Sequence, residues 1–184
     1  MMVTVTVFDQ PYPLVSLEEA KVALGEYSDD RNALISGLIM AAQGEMDGPK
    51  GWLGMSVAVQ GLELVADDFS GPIMLQYGPV IDPVEIYYLD KDGVEQVLSS
   101  LGFTVTSSGE LKLAAGASWP AVSSQGDAVR VRYYAGISDT FDPRIEMLKT
   151  AIILHVRMTL DGVERESARR ALESIVRPMW VPVC

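Results

Sequence analysis

Val84-Glu85-Ile86-Tyr87-Tyr88-Leu89-Asp90-Lys91-Asp92-Gly93-Val94-Glu95-Gln96-Val97-Leu98 reads as a β-hairpin. Two runs rich in β-branched and aromatic residues, Val84–Leu89 and Glu95–Leu98, flank a tight turn at Asp90–Gly93, where the glycine is free to take a positive φ. Similar short runs lie on either side: Val57–Val59, Leu62–Val65, Ile73–Gln76, Phe103–Thr106, Glu110–Leu113 and Val129–Tyr134. Turn residues separate them, so the region from about residue 55 to 136 reads as a mostly antiparallel β lobe. One stretch breaks the pattern. Ala114–Asp127, rich in Ala, Gly and Ser around Trp119-Pro120, reads as a long loop of the functional or mobile kind.

Helical signals enclose the lobe. Ser16-Leu17-Glu18-Glu19 is a capping box, Leu17, Ala20 and Leu24 share a face, and Gly25 is placed to stop the helix. Ser28-Asp29-Asp30 offers side-chain oxygens for the start of a second helix. Its stripe is Leu34, Ile35, Leu38, Ile39, Ala42 and Met46, and Gly48-Pro49-Lys50-Gly51 ends it. After the lobe, Asp142-Pro143 pairs an N-cap with proline at the first helical position. Ile145, Leu148, Ile152, Val156 and Thr159 make one face of that helix, which Ile153 and Leu154 widen until it is apolar on most sides. A last helix spans about 164–176, with Ala168, Ala171, Leu172 and Ile175 inward and Arg165, Arg169 and Arg170 outward. The expected fold is α+β: N- and C-terminal helices (about 14–47 and 142–177) packed together, an inserted β lobe, and a tail at 178–184, as one domain over 1–184.

Composition narrows the function. The 184 residues are 48% hydrophobic with a net charge of -11, and mean hydropathy is +0.19. That pairing implies apolar faces hidden against other subunits, or an aliphatic-rich core. The acidic balance argues against tight nucleic-acid binding, which rests on Lys and Arg, while leaving room for a surface that DNA slides past. The single cysteine, Cys184, cannot form an intrachain disulfide. No basic segment followed by an apolar run marks a secretory signal at the start, and no apolar stretch reaches membrane-spanning length; the expectation is a soluble chain with no membrane partner, cytoplasmic when made.

Catalytic constellations are not found. His155, the only histidine, sits between Leu154 and Val156 and reads as a satisfied core or interface residue. Asp67-Asp68 and Asp90/Asp92 are the acidic clusters, and turn chemistry accounts for both. Gly44–Gly51 holds glycines and a lysine without the order of a phosphate-binding loop. The expectation is no enzyme, no metal and no cofactor.

Several segments in order resemble the tailed-phage head–tail connector (adaptor) family, prophage and gene-transfer-agent members included. Leu14–Leu24 is similar to that family's first helix, and Asp29–Ile35 with Leu38–Ala42 to its second. Ile73-Met74-Leu75-Gln76-Tyr77-Gly78-Pro79-Val80, then Val84–Gly93, resembles its glycine-proline-valine, tyrosine-strand, Asp-x-x-Gly series. Trp119-Pro120, Val129–Gly136 and Asp142-Pro143-Arg144-Ile145 follow at the matching places.

The resemblance implies a structural subunit in a homo-oligomeric ring of about twelve copies. The ring sits beneath the portal protein, extends the channel through which DNA passes without sequence-specific binding, and presents a docking surface to a tail-side neck protein. Localisation would be the virion at the head–tail junction, with assembly in the host cytoplasm. For contacts above and below, the expected partner-binding residues are Trp119, Pro120, Pro178, Met179, Trp180, Val181 and Pro182, since tryptophan beside proline makes a stiff anchor. For packing between copies they are Ile145, Leu148, Ile152 and Val156. The alternatives are another neck component, such as a tail terminator or head-completion protein, and a non-viral α+β ligand-binding domain.

Overall fold

The computed structural model describes residues 3–179, and within them every side chain except those at 82, 83, 165 and 168. The chain is α+β and divides into two compact units: residues 3–11 with 59–136, and residues 12–58 with 137–179.

The first unit is all β. Strands β1 (Val3–Asp9), β2 (Gln60–Ala66), β4 (Val80–Leu89), β5 (Glu95–Leu98) and β8 (Val129–Ala135) form a sheet in the order β1-β2-β8-β4-β5. Strands β3 (Ile73–Met74), β6 (Phe103–Val105) and β7 (Glu110–Leu113) form a second, in the order β3-β7-β6. Every pairing is antiparallel. Alternation along β8 sends Val129, Val131, Tyr133 and Ala135 inward, where they join Leu62, Leu64, Ile86, Phe103 and Leu111 in one core. The Tyr133 hydroxyl, buried there, donates to the Gln76 carbonyl at 2.8 Å. The expected hairpin is present: Asp90 accepts from the Asp92 and Val94 amides, and Gly93 has φ 76°.

Strand β1 has no counterpart in the sequence-based expectation. Its signal is the strict Val3-Thr4-Val5-Thr6-Val7 alternation, with the valines half-buried and the threonines exposed. Val57–Val59, expected as a strand, is not one; the ladder begins at Gln60. The amides of Val57 and Ala58 instead donate to the two carboxylate oxygens of Asp47, at 2.6 and 3.0 Å. A side chain has taken the donors that a strand would need.

The second unit is helical: α1 (Leu17–Leu24), α2 (Asn32–Met46), α3 (Pro143–Leu160) and α4 (Arg165–Val176). Helix α1 has the expected capping box, and Gly25 closes it in the left-handed conformation at φ 74°. The α2 start is different. Arg31 occupies the N-cap without a side-chain hydrogen bond, because Asp29 is held by Lys21 Nζ at 2.7 Å and Asn32 Nδ2 at 3.0 Å. Asp142 caps α3 as expected. Helix α3 packs against α1, α2 and α4, which explains why it is apolar on most sides. Thr159 is an exception to its expected face, being exposed. No helix among the described residues is long and apolar enough to cross a membrane.

Asp47 is a buried carboxylate whose titration should be visible in stability. Burial raises its pKa from 3.8 to about 6, against the opposing pull of its three backbone hydrogen bonds. The folded chain therefore holds this proton more tightly than the unfolded one, so stability falls as pH rises from about 4 to about 6, by on the order of 3 kcal/mol. Urea denaturation at pH 4.5, 5.5 and 7 should show that slope. Asp47→Asn should abolish it and cost about 1–3 kcal/mol at pH 5, because an amide offers one acceptor to two donors. A slope that persists in Asp47→Asn would refute the assignment.

Candidate functional site

The acidic clusters serve the backbone. Asp68 accepts from both the amide and the hydroxyl of Ser70, Asp67 accepts from the Asp127 amide at 3.3 Å, and Asp90 closes its turn. Those hydrogen bonds hold the Asp68 and Asp90 carboxyls below their usual range. Neither pair is arranged to pass a proton to a substrate. Among the described residues no group of three His, Cys, Asp or Glu gathers around a metal-sized space. His155 is half-buried rather than a satisfied core residue, and its Nδ1 is buried without a hydrogen-bond partner among the described residues. It lines a cavity of about 290 Å³ with Glu45, Trp52, Thr159 and Arg169.

What stands out is surface. In the helical unit, the solvent side of α2 carries Ala33, Leu34, Gly37, Met40, Ala41 and Gly44, with Glu45 the one charged side chain exposed beside them. Leu34 is 52% exposed and Met40 66%. A Cβ added at Gly37 or Gly44 would meet nothing within 4 Å. Glycine inside a helix costs about 1 kcal/mol relative to alanine, and nothing within the chain requires it at these two places. The ordinary solvated helix looks like α4, whose outer face is tied by Arg169–Glu173 and Arg170–Glu166 pairs.

In the β unit, the even residues of β8 point out of the core. Arg132 donates to Glu63 at 2.6 Å and lies over the rings of Phe8 and Tyr87, at 5.4 and 5.5 Å. Arg130 pairs with Glu95, and Tyr134 meets Phe8 edge-on. Gly61 makes the arrangement possible, since a Cβ there would sit 2.7 Å from Phe8 Cζ. This face pairs its own arginines, and they lie over its rings, although Phe8 stays 43% exposed.

The expected contact residues separate into groups. Ile145, Leu148, Ile152 and Val156, expected to pack between copies, are at most 8% exposed and belong to the core of their own unit, where α1, α2 and α4 surround α3. Met179 is likewise in that core, while Pro178 is exposed. Trp180, Val181 and Pro182 lie outside the described residues, as does Cys184. Trp119 and Pro120 are half-buried, and the Trp119 ring stacks on Phe69 at 4.6 Å with 2° between planes. The α2 outer face and the Arg–aromatic sheet face went unnoticed in the sequence. Glycines at 37 and 44 inside an otherwise clean helical stripe were the available signal for the first, and the Arg130-Val131-Arg132-Tyr133-Tyr134 alternation for the second.

Comparison with solved structures now has a geometry to refer to. A chain from the neck of an empty GTA particle, computed with C6 symmetry, superimposes with a TM-score of 0.69 at 16% identity, covering 100% of this chain and 98% of that one. This chain has the fold of that neck chain. A chain of the virion of a native gene transfer agent (GTA) particle gives 0.66, and one from the neck of a native GTA particle, computed with C12 symmetry, 0.63, with the same identity and coverage. No family model and no curated protein matches.

Trp119→Ala discriminates the two uses of that ring. If the stack on Phe69 is its main role, thermal unfolding of the purified chain should show a loss of about 1–3 kcal/mol. Unchanged stability combined with failure to join its partner assembly would instead make Trp119 an anchor for another chain.

Proposed function

We propose that this chain is a structural neck subunit: a head–tail connector that forms a ring with copies of itself between a portal and a tail-side neck protein. The observation that carries the reading is the end-to-end match, 100% of this chain against 98% of a GTA neck chain, with no large part of either left over. The chain's own chemistry agrees with a non-enzymatic role, since its acidic clusters are bound up in turns and links. The outer face of α2, mostly small and apolar, gives it something to assemble with.

In this reading the ring holds about twelve copies, in the head-to-tail rotation that closed rings use. The net charge of -11 suits a wall along which DNA moves without adhering, because a negative lining repels phosphates. The resemblance in the sequence, from Leu14–Leu24 to Asp142–Ile145, points to the same place as the match in fold. Two of the matched chains come from necks computed with C6 and C12 symmetry, and a six-membered tail-terminator or completion ring is the neighbouring alternative.

Copy number decides between them. Mass spectrometry of particles purified from the source genome should find this chain at about one copy per portal chain. A ratio of about one half would move it to a six-membered ring. Absence from mature particles would overturn the neck reading and favour the ligand-binding alternative.

A further inference from the structure

We infer that the helical unit carries a recognition site for an acidic protein segment bearing one tyrosine. The tyrosine enters the cavity between α2, α3 and α4, and its acidic neighbours lie in an arginine-lined groove beside it. The cavity, of about 290 Å³, has Met46, Val163 and Leu172 in its lining, together with His155 and Thr159. The groove, of about 530 Å³, follows the outer side of α4 and is lined by Arg169, Arg170, Glu173, Ser174 and Arg177. Trp52 and Arg169 line both, so the two depressions adjoin. Every residue named belongs to the helical unit, and the site does not depend on the neck reading.

Three observations select this occupant. The first is charge. Of the 14 basic residues, Arg165, Arg169, Arg170 and Arg177 fall within one short segment of a chain whose net charge is -11. The groove sets Arg169, Arg170 and Arg177 against a single carboxylate, Glu173. Its pairs, Arg169–Glu173 and Arg170–Glu166, are exposed i,i+4 contacts that contribute little and yield to a competing carboxylate. Arg177 is exposed and has no ion pair among the described residues. The second is the polar part of the cavity. His155 is half-buried in its wall, and its side chain makes no hydrogen bond among the described residues. The Thr159 hydroxyl donates to the His155 carbonyl at 2.9 Å, which leaves it only lone pairs to offer. A phenolic hydroxyl both donates and accepts, so it suits either tautomer of the imidazole and the threonine oxygen as well. The third is size. An apolar space of about 150 Å³ already takes a benzene ring, so this cavity has room for one phenol against Trp52, Met46 and Leu172. Nucleic acid is the poorer occupant, because its run of phosphates would meet the acidic remainder of the chain. A short peptide brings only a few carboxylates, to a place that attracts them.

The test is fluorescence anisotropy on the purified full-length chain, with a labelled synthetic peptide in which one tyrosine is flanked by glutamates. The expected result is saturable binding that weakens as salt is added. Replacing the peptide's tyrosine by glycine should cost about tenfold or more in affinity. Arg170→Glu combined with Arg177→Glu, both at exposed positions, should cost about as much while the chain melts as wild type does. Val163→Trp, which fills the cavity, should weaken the tyrosine peptide and leave the glycine peptide unchanged. Should the double variant melt lower, a peptide with glutamine in place of glutamate supplies the same comparison on the wild-type chain. No binding at about 1 mM peptide, equal affinity for the tyrosine and glycine peptides, or normal binding after charge reversal would each overturn the site. A single-stranded oligonucleotide that binds more tightly than the peptide, and displaces it, would overturn the assignment in favour of nucleic acid.

Discussion

A lobe inserted into a helical unit must leave and return through neighbouring points, and that closure is the constraint on which this architecture rests. The chain departs at Val57-Ala58 and returns at Ile137. The Ile137 amide donates to the Val57 carbonyl at 2.9 Å, so departure and return are joined directly. Asp47, at the end of α2, secures the departing segment by accepting both of its amides. A buried carboxylate is costly unless its oxygens are occupied. Here that cost is offset by three backbone donors, which hold the end of the helical unit's segment in place. Met46, one residue before Asp47, is fully buried in the helical core, so the clamp stands on packed ground.

Much of this was legible in the residues, wherever a local rule had no competitor. The Ser16–Glu19 capping box, the Asp142-Pro143 start and the Asp90–Gly93 turn are short-range chemistry, and each formed as read. Strands β5 and β7 kept their expected bounds because turns confine them on both sides. The failures share a cause of another kind. Val57–Val59 has strand composition, yet a carboxylate ten residues upstream claimed its donors. Ser28-Asp29-Asp30 has capping composition, yet Lys21 claimed Asp29. Both outcomes depend on side-chain partners eight and ten residues away, beyond the reach of a capping or strand-composition rule. Strand β1 was a different kind of miss, since its alternation is plain.

The contact surfaces were harder to read for a related reason. An apolar residue in a sequence states that it will be covered and is silent on what covers it. Ile145, Leu148, Ile152 and Val156 were read as faces for neighbours, and α1, α2 and α4 had already covered them. The side of α2 that remains bare looks less hydrophobic in sequence, because two of its seven exposed residues are glycine, two are alanine and one is Glu45. Smoothness, more than greasiness, distinguishes it from the charged face of α4. The same logic separates the Arg–aromatic face of the β sheet, which is internally paired and lacks the bare quality of α2.

The open margin of the five-stranded sheet raises a matter of storage. Strand β1 lies at one end of the strand order, so among the described residues one row of its backbone donors and acceptors has no strand opposite. A free margin of this kind is a template on which other chains can add strands. Any chain that reaches high local concentration with that template exposed is at risk of strand addition. The irregularity between Val7 and Asp9 shortens the regular register to Val3–Val7, and Pro11 follows soon after, a residue with no amide hydrogen to offer. The two features act as a dead end on the margin, limiting how far an added strand could zip.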